Sequence, residues 1–87
     1  MGIIYLFNLK GDTMTVVYTK PNCVQCNMTK RHMDKIGVEY TTVDITEDAD
    51  ALDKLIEMGY KAAPVVMTDD GEHWAGFQPE KINELAA

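Results

Sequence analysis

No run of apolar residues in this chain approaches the roughly 18 that a helix needs to cross a bilayer, so no membrane-spanning role is expected. Positive charge is scarce as well. Eight Lys and Arg stand against fourteen Asp and Glu, a formal charge of -6, and neither a phosphate backbone nor an anionic lipid surface would draw such a chain. Nucleic acid and membrane are set aside as partners. Only two cysteines are present, too few for the multi-bridge framework of a small secreted domain. The apolar opening Ile3-Ile4-Tyr5-Leu6-Phe7 is short, follows no basic residue and precedes no Ala-x-Ala site. No secretory leader is read from it, and a cytoplasmic, monomeric protein is expected. With 87 residues there is room for one domain, near the lower size limit for a core without staples.

What basic charge exists gathers around the cysteines. Lys20, Lys30, Arg31 and Lys35 surround them with only Asp34 interspersed, whereas acid dominates between residues 39 and 57. Ordinary solvated helix faces account for this, as does an electropositive collar that favours thiolate and steers an acidic partner.

The stretch Thr15-Val16-Val17-Tyr18-Thr19 is β-branched and aromatic and predicts a buried strand, closed by Pro21 and Asn22. Cys26, Thr29, Met33 and Ile36 then recur at spacings of three and four, which places them on one face of a helix from residue 23 to 36. Gly37 suits its C-cap, and Val38 to Val43 predicts a second strand, parallel to the first by the right-handed crossover rule. Thr46 is the expected cap of a second helix with Leu52, Leu55, Ile56 and Gly59 inward. Ala63 to Thr68 predicts a strand opened by Pro64. Asp70-Gly71 predicts a hairpin to a short strand Glu72-His73-Trp74. Pro79 fits the first turn of a last helix with Ile82, Leu85 and Ala86 inward. The order β-α-β-α-β-β-α packs most simply as an α/β fold, a four-stranded mixed sheet flanked by three helices. Residues 1–13 stand outside this pattern as an N-terminal extension to a domain of residues 14–87, pairing with an outer edge of the sheet or free of it.

Cys23-Val24-Gln25-Cys26 carries the chemistry. The pair sits where a strand meets a helix, and there the unpaired N–H groups and the helix dipole favour an anion. The Cys23 thiol is expected to be more acidic than the free value of about 8.5, with Lys20 acting in the same direction. Cys23 is the expected nucleophile, at the exposed end of the helix. Cys26, one turn further in, is the expected resolving thiol that closes a Cys23–Cys26 bridge. A zinc site completed by His32 or His73 is the competing reading. It wants four ligands at finger or ribbon spacings, and no second pair exists, so no metal is assigned.

Pro64 either opens its strand in trans or adopts a cis bond that turns the Ala63 backbone toward the Cys23 sulfur, where a substrate chain could pair with it. The setting favours cis. Trp74 and Phe77 flank an aromatic turn, and Trp74 serves equally as core or as partner surface. Val24 and Met28, four apart and off the inner helix face, would form a small apolar docking patch. Lys20, Val24, Met28, Ala63, Pro64, Trp74 and Phe77 are thus the candidate partner-binding set. His32 and His73 are assigned to the surface without a role.

From Met14 to the C-terminus the sequence resembles the glutaredoxin-like NrdH redoxins of the thioredoxin fold. The active-site segment from Val17 to Cys26 looks like theirs, Ala63-Pro64-Val65-Val66 resembles their cis-proline segment, and Trp74-Ala75-Gly76-Phe77-Gln78-Pro79 is similar to their Trp-Ser-Gly-Phe-Arg-Pro signature. Ala75 and Gln78 depart from the last pattern. The resemblance implies a dithiol–disulfide electron carrier for class Ib ribonucleotide reductase, with no bound cofactor. Its electrons would come from NADPH through the flavoprotein thioredoxin reductase. A glutathione-dependent glutaredoxin is the alternative within the fold, and a zinc or iron–sulfur binding module the alternative outside it.

Overall fold

The structure, a computed structural model, describes residues 15–86. The extension expected at residues 1–13 lies outside the described residues. Alternation along the first strand sets the layering: in β1 (Thr15–Thr19), Val17 points to one side while Val16 and Tyr18 point to the other. The remaining elements are α1 (Val24–Ile36), β2 (Tyr40–Asp44), α2 (Ala49–Glu57), β3 (Val65–Met67), β4 (His73–Ala75) and α3 (Pro79–Ala86). They form the four-stranded mixed sheet expected, in the order β2-β1-β3-β4. β1 runs parallel to β2 and antiparallel to β3, with Val17 opposite Val66, and β3 pairs antiparallel with β4, with Val66 opposite Trp74.

Both faces of the sheet are covered. On one, Val17, Val66 and Trp74 pack beneath Met33 of α1 and Ile82 of α3. On the other, Tyr18 and Val65 pack against Leu55 of α2. α1 buries Cys26, Thr29 and Met33 as its spacing predicts, and the Thr29 hydroxyl is satisfied by donating to the Gln25 carbonyl at 2.9 Å. Among the described residues no helix is long and apolar enough to cross a membrane.

Several boundaries differ from expectation, each for a local reason. β2 begins at Tyr40 rather than Val38, because the end of α1 consumes two residues. Gly37 takes a left-handed φ of 82°, and the Val38 N–H donates back to the Met33 carbonyl at 2.9 Å. The cap of α2 is Asp48, not Thr46: its carboxylate accepts from the Ala51 N–H at 3.0 Å. Thr46 is drawn away by Asp44, which accepts from both its N–H and its hydroxyl. Only Leu55 of the expected inner face of α2 is buried. Leu52 and Ile56 are exposed. Ala86, expected inward, is exposed in the last turn of α3. β3 is shorter than expected at both ends. Pro64 brings no N–H to the ladder, and Thr68 turns instead into a loop where its hydroxyl meets Asp70 and its N–H donates to the Glu72 carbonyl.

These two Asp–Thr contacts give the fold an acid limb. Hydrogen bonds from Thr46 hold the Asp44 carboxyl below its ordinary value, and Thr68 and the Glu72 N–H do the same for Asp70. A carboxyl depressed on folding adds stability that is present above its unfolded pKa and is lost as pH falls through the folded one. Stability is therefore expected to decline below about pH 4, where free aspartate begins to protonate. Urea midpoints measured across that range should fall less steeply for Asp44→Asn than for the parent chain.

Candidate functional site

The site is built on the junction between β1 and α1. Asn22 takes a left-handed φ of 58°, which asparagine tolerates, and this tight turn delivers Cys23 to the N-cap of the helix. There Cys23 has extended backbone angles and its sulfur accepts from the Cys26 N–H at 3.1 Å, the place a Ser or Asp cap oxygen would take. No acidic residue stands in the first turn of α1 to offset the positive end of the dipole.

Cys23 and Cys26 are joined by a disulfide, with 5.2 Å between their Cα atoms. Cys26 is fully buried. Cys23 is 7 % exposed, less than its position at the helix end led one to expect. The order of access is as expected, since of the two residues only Cys23 keeps any exposure, although little.

That carbonyl is brought there by the Ala63–Pro64 peptide, which is cis. The Cys23 sulfur lies 3.8 Å from the Ala63 oxygen. In the disulfide no thiol proton exists, so this is a van der Waals approach, and in the dithiol the Cys23 S–H could donate across it. Among the described residues neither the N–H nor the carbonyl of Ala63 bonds to other backbone. No group of three or more His, Cys, Asp and Glu that could hold a metal ion is found among the described residues.

The family described as Glutaredoxin matches residues 15–74, more than half of the chain and the whole of the cysteine and proline segments. This chain belongs to the glutaredoxin family. It is 45 % identical over 69 residues to the glutaredoxin-like protein NrdH of Salmonella typhimurium, covering 79 % of this chain and 84 % of that one. To the NrdH protein of Lactococcus lactis it is 38 % identical over 73 residues, 84 % of this chain and all of the relative. The solved structure of the NrdH-redoxin from Escherichia coli, a protein described as having a thioredoxin-like activity profile, superposes with a TM-score of 0.79 at 35 % identity. That match covers 83 % of this chain and 93 % of the other. The chain is therefore an NrdH-like thiol–disulfide oxidoreductase with a redox-active Cys23–Cys26 pair.

Around the pair of this glutaredoxin, the other expected residues divide. Val24 is 72 % exposed and Met28 37 %, both off the buried face of α1. Lys20 is exposed immediately after β1, and Pro64 is buried. Trp74 takes the first of its two expected places, the core, and not the partner surface. It is 4 % exposed and lies in the core with Val17, Met33, Val66 and Ile82, because β4 turns its one large ring to the helix-covered face. Lys81 from α3 covers that ring, its Nζ 5.8 Å from the centroid. Phe77 is half-buried and meets the His32 ring edge-on at 6.0 Å. His32 is not idle either, since its Nε2 bonds the Asn83 Oδ1 at 2.8 Å and links α1 to α3.

Reading the sequence missed Gln25 as a contact. Its side chain accepts from the Phe77 N–H, and nothing in a Cys-x-x-Cys pattern signals that reach. It missed Gly76 too. With φ of 83°, and with an added Cβ falling 3.3 Å from the Gln25 Oε1, Gly76→Ala is expected to cost about 1 kcal/mol or more. Urea unfolding of the variant measures this, and a stability equal to that of the parent would refute it.

Proposed function

We propose that this chain is a monomeric cytoplasmic electron carrier that reduces class Ib ribonucleotide reductase and is itself reduced by thioredoxin reductase at the expense of NADPH. It holds no cofactor. The observation that carries the reading is the Cys23 sulfur at the cap of α1, receiving the Cys26 N–H while only Cys23 of the two meets solvent.

The N–H and the helix dipole favour the Cys23 thiolate, the form that attacks. The thiolate displaces one sulfur of a substrate disulfide, forming a mixed disulfide and releasing the first substrate thiolate. Cys26, deprotonated, then attacks the Cys23 sulfur, forms the internal bridge and releases the second substrate thiolate. Two electrons pass to the substrate, two protons complete its thiols, and the carrier is left oxidised. Ala63 offers its backbone N–H and carbonyl to the substrate chain. Of the remaining candidate set, Lys20, Val24 and Met28 are exposed and Phe77 half-buried, which leaves them to meet the partner, while Trp74 is interior.

The similarity to proteins named NrdH supports the choice of partners. So does the Ala75-Gly76-Phe77 turn, which holds no carboxylate to pair with the amine of glutathione. The test supplies the oxidised carrier with NADPH and thioredoxin reductase, and separately with glutathione and glutathione reductase. Disulfide reduction in the first system is expected, and turnover in the second alone would overturn the reading. An absorption spectrum and metal analysis of the purified chain distinguish a cluster or zinc module.

A further inference from the structure

The loop Ala75 to Gln78 is held from two sides. On one, the Gly76 N–H donates to the Pro64 carbonyl at 2.8 Å. On the other, the Phe77 N–H donates to the Gln25 Oε1 at 3.0 Å, a contact between residues 52 apart in sequence. Within the loop the Gln78 Nε2 donates to the Ala75 carbonyl at 2.9 Å, so this side chain folds back on its own loop and makes no link to α1 there. Gln25 thus supplies the hydrogen bond that joins the redox helix to the loop, beside the edge-on contact of His32 with the Phe77 ring. It can do so because it sits in the first turn of α1 between the two cysteines, its backbone carbonyl fixed by the Thr29 hydroxyl. Gly76 leaves it room, as a Cβ there would crowd the same oxygen at 3.3 Å.

We propose that Gln25 is a positioning residue for substrate selection, whose amide oxygen holds the Gly76-Phe77 backbone, itself tied to Pro64, so that the loop keeps one fixed shape beside the Cys23–Ala63 approach for protein disulfides. The inference rests on the redox-carrier reading and deepens it. A small disulfide needs to meet only the Cys23 sulfur. A disulfide within a folded protein must also seat its surroundings against what flanks that sulfur, and a loop released from Gln25 would have to be ordered again at each encounter.

Two variants test this, Gln25→Leu, which removes the acceptor at similar volume, and Gln25→Glu, which keeps an oxygen there. The first readout is independent of turnover: hydrogen exchange at the Phe77 amide. Loss of one net hydrogen bond should speed it about fivefold in Gln25→Leu, and Gln25→Glu should stay near the parent. The second is the ratio of rate constants with which the reduced carrier reacts with insulin and with hydroxyethyl disulfide. The ratio should fall by about the same fivefold factor in Gln25→Leu and recover in Gln25→Glu. The added charge of glutamate acts on the thiolate for both substrates, so the ratio removes it. Unchanged exchange at Phe77, or equal slowing with both substrates, would overturn the proposal. A parent chain that reduces neither disulfide, with Phe77 exchange still responding to Gln25, would instead refute the carrier reading on which the proposal stands.

Discussion

Cys23→Ser is expected to reduce no disulfide at all, falling to the uncatalysed background, whereas Cys26→Ser is expected to start the reaction and stop halfway. A serine hydroxyl at the α1 cap still accepts the Cys26 N–H, so the fold survives. It stays protonated at neutral pH, however, and supplies no nucleophile. In Cys26→Ser the attacking sulfur remains, but the group that would release the substrate is gone, and the mixed disulfide accumulates. Mass spectrometry after incubation with insulin reads both results. Trapping in the Cys23→Ser protein instead, or equal loss without trapping in either, would reverse or abolish the assigned roles.

Met33→Ala is expected to cost about 2 to 5 kcal/mol, the range for emptying a methionine site in a packed core. Met33 is wholly buried, held between α1 and the sheet by Val17, Val66, Trp74 and Ile82. Backbone on both sides fixes the distance between these layers, so the space left behind cannot close fully. Against a total stability of about 5 to 15 kcal/mol for a domain, this is a large share. The urea midpoint should fall with little change in slope. Met33→Leu, which nearly conserves volume, should lose under about 1.5 kcal/mol, and equal losses in the two variants would show that the site collapses freely.

Periodicity carried most of the architecture. The spacing of Cys26, Thr29 and Met33, the β-branched run at Thr15 to Thr19 and the Asp70-Gly71 turn each reflect the local geometry of one element, and local geometry is what a sequence pattern records. Boundaries slipped where a side chain had a choice of partner. Thr46 could have capped α2, but Asp44 lies within reach of it, and the Asp48 carboxylate took the cap. The exposure of Leu52 and Ile56 was hidden for a related reason, because hydrophobic spacing marks a face without saying how much sheet lies beneath it.

The candidate site was legible in its sulfurs and less so in its surroundings. A Cys-x-x-Cys pair at a strand-to-helix junction names the chemistry, because one helical turn sets the distance between the sulfurs and the helix end sets the charge they feel. Trp74 illustrates the opposite case, its ring turned into the core by the register of β4 against β3.

The sequence by itself determined the order of the elements, the reactive pair and which of its two sulfurs lies nearer solvent, since all three follow from contacts a few residues apart. Only the tertiary structure decided that Ala63 approaches Cys23, that Gln25 reaches Phe77 and that Trp74 is interior. Those contacts join segments far apart in the chain, and their formation depends on how the sheet assembles rather than on any residue's own preference.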